Sequence, residues 1–211
     1  MTKKSNFKQF TLNKRIFIMA KEGSKIEKIA AAKRSSGGTK HDQSNSVQPK
    51  PCGISVREIS AFAKKVAEAL NFKPRSALET VVEYLGGEIK TLPFSVADSK
   101  RASITVEEGG KFTITLTPIL FPLQKRMSIA HELGHLFLHS RYGEVALQAH
   151  HDSDEENDVV EDEAHEFACE FLMPTKLLRK IANFFDNDTI KIAAYFMVPE
   201  PIVRQRMASF G

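Results

Sequence analysis

Between Leu123 and His139 the chain has no proline and one glycine, and it places Met127, Ile129, Ala130, Leu133, Leu136 and Phe137 at helical spacing. The spacing predicts one helix, and that helix carries His131-Glu132-Leu133-Gly134-His135. Residues four apart share a face of an α-helix, about 5.4 Å along the axis, so His131 and His135 can both point a ring nitrogen at one metal ion. Glu132 is turned about 100° from His131, so it need not ligate and can face a water activated at the metal, as a general base does. With seven His in 211 residues, shuffling would produce this five-residue pattern roughly 0.02 times, which makes coincidence a weak explanation.

Two imidazoles and an open position suit catalytic Zn2+, which takes three protein ligands and leaves a fourth site for water. The best third ligand is Glu161, in Glu161-Asp162-Glu163-Ala164-His165 on a downstream helix, because a carboxylate completes a two-His, one-Glu set. His165 shares a face with Glu161 and could orient a ligand from behind. Two rivals stand beside Glu161. Glu163 is two positions away and faces about 200° around a regular helix. His139 continues the series from His131 and His135 but lies about 12 Å along the axis from His131, which suits a supporting or cleft-wall role. An oxyanion formed at such a site needs a further donor, for which His165, His139, Tyr142 and Tyr195 are the candidates.

The charge is uneven. Residues 1–50 hold twelve Lys/Arg against three Asp/Glu, while the remainder holds eighteen against twenty-three. A basic arm can touch nucleic acid or another anionic surface, although such runs are more often simply solvated. Residues 33–53, KRSSGGTKHDQSNSVQPKPCG, contain almost nothing to bury and read as a linker. The expected organisation is an arm and linker over 1–53, with nucleic-acid contact as a lesser option, and a folded domain over 54–211. Met19 offers an alternative start. The apolar run from Ile16 to Ala20 is too short for a signal-peptide core or a membrane span. Two cysteines, Cys52 and Cys169, supply neither a disulfide framework nor a cysteine metal cluster, and a cytoplasmic setting is expected.

Within the domain, Ser55-x-x-Glu58 is a capping box that starts a helix, with Ile54 and Ile59 placed as a staple. A second helix is expected from about Ser76 to Leu85, closed by Gly86-Gly87, then a strand over Glu88 to Leu92. Ile104 and Val106 alternate with polar residues, as do Phe112, Ile114 and Leu116, and the two runs flank Glu107-Glu108-Gly109-Gly110 in the pattern of an antiparallel hairpin. An acidic loop from His150 to Asp158 leads to a helix from about Val159 to Leu172, and two or three short helices finish the chain. His41, His150 and His151 read as surface residues. The class is α+β, mainly helical, with a small antiparallel sheet beside the helix that bears the motif.

RMSIAHELGHLFLH followed by EDEAHEFACEFLMP resembles the ImmA/IrrE family of zinc metallopeptidases, and the similarity extends over about Ile54 to Met207. The resemblance implies a compact α+β peptidase domain with His131, His135 and Glu161 as zinc ligands and Glu132 as the catalytic residue. It implies, as substrate, a helix-turn-helix repressor or antitoxin-like regulator, in stress responses or on mobile elements. His165 departs from the pattern, because the family usually has Asn there.

Two other readings differ in class. A DNA-binding regulator would use the basic arm and the helix, turn, helix pattern around Ile190 to Met207 with Lys191, Arg204 and Arg206. A zinc-sensing module would keep the metal without peptidase activity.

Overall fold

The computed structural model describes residues 48–94, 102–149 and 155–209. The basic arm to residue 47, including Met19 and His41, lies outside them, as do His150 and His151 of the acidic loop.

Helix α1 spans Val56–Ala69 and opens on the expected capping box, in which Ser55 Oγ accepts from Glu58 N–H and the Glu58 carboxylate accepts from Ser55 N–H. Its apolar stripe of Ile59, Phe62, Ala63 and Val66 is buried, as is Ile54 in front of the cap. Helix α2 (Leu78–Tyr84) ends at Gly86, whose φ of +81° is the left-handed conformation that glycine adopts without strain.

Strands β1 (Gly87–Thr91), β2 (Ser103–Val106), β3 (Phe112–Leu116) and β4 (Leu147–Ala149) form one sheet in the order β1-β3-β2-β4. The β2–β3 hairpin is antiparallel as expected, with its turn closed by Glu107 N–H on Lys111 O at 2.8 Å. The sheet as a whole is mixed, because β1 runs parallel to β3. Gly87 sits opposite Phe112 in this register, and a Cβ there would overlap the Phe112 ring. A bare backbone at Gly87 therefore leaves room for the tip of that ring. The second edge, β4, is an added strand whose three residues are too short to show a period.

Helix α3 (Pro122–Gly134) starts with proline at its first position, where the missing N–H costs nothing. The expected continuation to His139 changes pitch after Gly134. His135–His139 is a π turn, with Ser140 N–H bonded to His135 O at 3.0 Å, and π turns are concentrated at functional sites. Helix α4 (Glu155–Leu172) begins four residues before the expected start and crosses α3 and α1. Phe62 and Phe137 meet Phe167 of α4, and Phe72 stacks on Phe171 with ring centroids 4.4 Å apart. Helices α5 (Thr175–Phe184), α6 (Thr189–Phe196) and α7 (Glu200–Ala208) complete the chain. The result is the expected mainly helical α+β domain, with helices gathered beside one small sheet.

Candidate metal centre

Three elements bring the chemistry together. Helix α3 supplies His131, the π turn supplies His135 and helix α4 supplies Glu161. His131 Nε2 lies 3.0 Å from Glu161 Oε2, His135 Nε2 lies 3.3 Å from Glu161 Oε1, and the two histidine nitrogens are 3.2 Å apart. All three ligating atoms fall within 4.8 Å of one another. Two imidazole nitrogens and a carboxylate converging on one point is a donor set that a single divalent cation would satisfy.

Glu132 stands beside them, 1% exposed, and its Oε2 has no hydrogen-bond partner among the described residues. Burial, and then the negative charge of Glu161, push its carboxyl well above the usual range. An unpartnered buried carboxylate facing the same cleft as the convergent ligands fits a group held for proton transfer. The cleft has a volume of about 550 Å³ and is walled by Leu120, Met127, Pro199 and Ile202, with His131, Glu132, Glu161 and His165 on its floor. Gln124 and Ser128 also line it. With His131 they make a polar stripe along α3 at helical spacing, a signal that the sequence carries outside the His131–His135 motif.

The other expected residues separate. His165 lines the cleft, with Nε2 at 3.4 Å from Cys169 Sγ, and burial followed by the neighbouring His131 lowers its pKa and favours the neutral ring. His139 turns away into the interior, where Nδ1 meets His135 Nδ1 at 2.9 Å and Nε2 meets Glu163 at 3.0 Å. Glu163 thus faces away from the convergent set, as its angle on a regular helix requires. Tyr142 is buried on the far side, its hydroxyl donating to Leu85 O, and it does not line the cleft. Tyr195 packs on the core beside Arg75, away from the cleft lining. An oxyanion role for Tyr142 or Tyr195 is therefore without structural support.

Of the basic residues in the C-terminal helix pair, Arg206 is buried in ion pairs with Glu166 and Glu170 of α4, and Arg204 and Lys191 pair with Glu200 and Asp188. Helix α7 forms a wall of the cleft through Ile202 and Gln205.

Residues 82–208 match the model of the peptidase family described as the IrrE N-terminal-like domain. This chain belongs to the ImmA/IrrE family of metallopeptidases. The metallopeptidase ImmA of Bacillus subtilis (strain 168) is 33% identical over 84 residues, which cover 39% of this chain and 48% of that protein. The aligned stretch thus spans about half the length of that relative. Membership implies a metal, and the His131, His135 and Glu161 group could bind one. Among the described residues, no helix is long and apolar enough to cross a membrane.

Proposed function

We propose that this chain is a zinc-dependent endopeptidase in which His131, His135 and Glu161 hold Zn2+ and Glu132 is the general base. The observation that carries this reading is the convergence of those three ligands beside a buried, unpartnered Glu132. Zinc bound there would supply Lewis acidity toward a scissile carbonyl and an attacking water. Glu132 takes the proton of the attacking water and returns it to the leaving amine. Of the donors considered for the oxyanion, His165 is the one whose ring borders the cleft, since His139 is turned inward and Tyr142 bonds to Leu85.

A helix-turn-helix repressor or antitoxin-like regulator is the substrate class, and the family resemblance supports it. The apolar walls of the cleft suit an extended peptide with hydrophobic side chains near the scissile bond. The cytoplasm is the proposed setting, in keeping with two unpaired cysteines, Cys52 and Cys169.

The test is Glu132→Gln assayed on a candidate regulator, with bound zinc measured in parallel. Cleavage should fall by about 10² to 10⁴ while zinc content holds. Cleavage at the wild-type rate would remove Glu132 from the mechanism, and a wild type that binds no zinc would remove the metal centre.

A further inference from the structure

We infer that Glu163, His139 and the backbone N–H of Cys52 form a positioning chain that presets the tautomer of His135 for metal binding. The inference rests on His131, His135 and Glu161 being a metal site, and it concerns residues outside that set. Cys52 N–H donates to Glu163 Oε2 at 2.8 Å, and the same oxygen lies 3.0 Å from His139 Nε2. His139 Nδ1 in turn lies 2.9 Å from His135 Nδ1, and His135 Nε2 is the atom that faces His131 and Glu161.

The proton order along this chain follows from what each group can accept. The backbone N–H of Cys52, which can only donate, and the His139 Nε2 both lie at hydrogen-bond distance from Glu163 Oε2. An oxygen that already accepts from Cys52 N–H accepts from His139 as well, so His139 presents Nε2–H to it. Because His135 Nε2 faces the convergent ligands, the proton between the two Nδ1 atoms belongs to His135, and His139 Nδ1 accepts it. That leaves the lone pair of His135 on Nε2, aimed at the convergent ligands. A histidine ligand gains both orientation and basicity from such a partner. Here the carboxylate acts through a second histidine, and the π turn sets the relative placement of the two rings, whose centroids are 5.0 Å apart.

Cys52 extends the chain into residues that read as linker. Pro49 is buried and Cys52 packs against the core, so the segment just before α1 is seated on the back of the site. The Cys52 thiol is pushed up to about 12 by burial and by Glu163, which keeps it protonated. Cys52 thus meets Glu163 through its thiol as well as through the backbone N–H.

The experiment uses the full chain and zinc alone. Zinc affinity is measured by chelator competition for the wild type, Glu163→Ala and Glu163→Gln, and the metal-free proteins are examined by long-range ¹⁵N–¹H spectroscopy of the histidines. Glu163→Ala should bind zinc about 10- to 100-fold more weakly. Glu163→Gln should recover most of that affinity, because its amide oxygen still accepts from Cys52 and His139. The metal-free wild type should carry the His135 proton on Nδ1, and Glu163→Ala should show both tautomers. A wild type with the proton on Nε2 overturns the inference, as does a Glu163→Ala variant that binds zinc as tightly as wild type. Should Glu163→Ala fail to fold, the wild-type spectrum decides alone. A wild type that binds no zinc overturns the metal centre and this inference with it, whereas tight binding by both proteins overturns only the positioning chain.

Discussion

Gly134 of α3 faces the backbone of Ala164 of α4 so closely that a Cβ on Gly134 would lie 2.9 Å from both the Ala164 Cα and its carbonyl oxygen. Gly134 adjoins His135, and Ala164 lies between Glu161 and His165. The contact therefore sets the distance across which the ligands meet. Gly134→Ala has two opposing effects. Helix propensity favours alanine by up to about 1 kcal/mol. Overpacking against a backbone that cannot step aside costs about 1–3 kcal/mol, and should prevail. The variant should show a lower thermal midpoint and weaker zinc binding, and unchanged values for both would mean that the helix spacing does not govern the site.

Glu161 and Glu163 lie on different faces of α4, and their alanine variants should rank accordingly. Glu161→Ala removes a proposed ligand and should weaken zinc binding by more than the roughly 100-fold upper range of an outer partner. Glu163→Ala should stay within that range. Metal content after dialysis against a fixed chelator concentration checks the order, and the reverse order would move the third ligand to Glu163.

The features legible in the sequence are those set by local spacing. His131 and His135 share a face because four residues make about one turn, and Ser55 with Glu58 announced the start of α1 through capping chemistry alone. Glu161 was readable because it recurs in a second helical run, although 30 residues separate it from His131. What stayed hidden depends on contacts between distant segments. The parallel pairing of β1 with β3 brings Gly87 opposite Phe112, and periodicity cannot reveal which strand lies beside which. The π turn at His135–His139 has no distinctive composition. Cys52 reaches Glu163 across 111 positions through a backbone N–H, a group that every residue but proline carries. That the Tyr142 hydroxyl donates to Leu85 O, 57 positions away, is likewise set by the fold and not by local spacing.

Burial pushes the thiols of Cys52 and Cys169 up to about 12, in each case with a nearby carboxylate acting in the same direction. At pH 8 the folded protein should therefore react slowly with a thiol-specific disulfide reagent, and both cysteines should label on unfolding in guanidinium. The same shift sets a pH dependence. Above an unfolded thiol pKa of about 9, the unfolded chain loses these protons while the folded chain keeps them up to about 12. The stabilisation is thus complete below pH 9 and is lost as pH rises through the folded value. Denaturation midpoints should decline between pH 9 and 12, and a Cys52→Ser, Cys169→Ala double variant should decline less. Fast labelling of the folded protein at pH 8 would contradict both burial and shift.

Arg206 ties the cleft wall to the helix that carries Glu161. Its guanidinium reaches Glu166 Oε1 at 2.7 Å and Glu170 Oε2 at 2.5 Å, and Glu166 and Glu170 also bond to Ser60 and Thr175. Arg206→Ala would leave two carboxylates of α4 without their shared cation, one of them buried, and removing one partner from such a pair costs about 3–5 kcal/mol. Arg206→Lys should recover only part of this, since a single ammonium cannot address both carboxylates with the planar fork of arginine. Chemical denaturation should rank wild type above Arg206→Lys and Arg206→Lys above Arg206→Ala. Because Ile202 and Gln205 of α7 line the cleft, the lysine variant should also raise KM for a peptide substrate more than it lowers kcat. A lysine variant as stable as wild type with unchanged KM would show that α7 is held by its apolar packing alone.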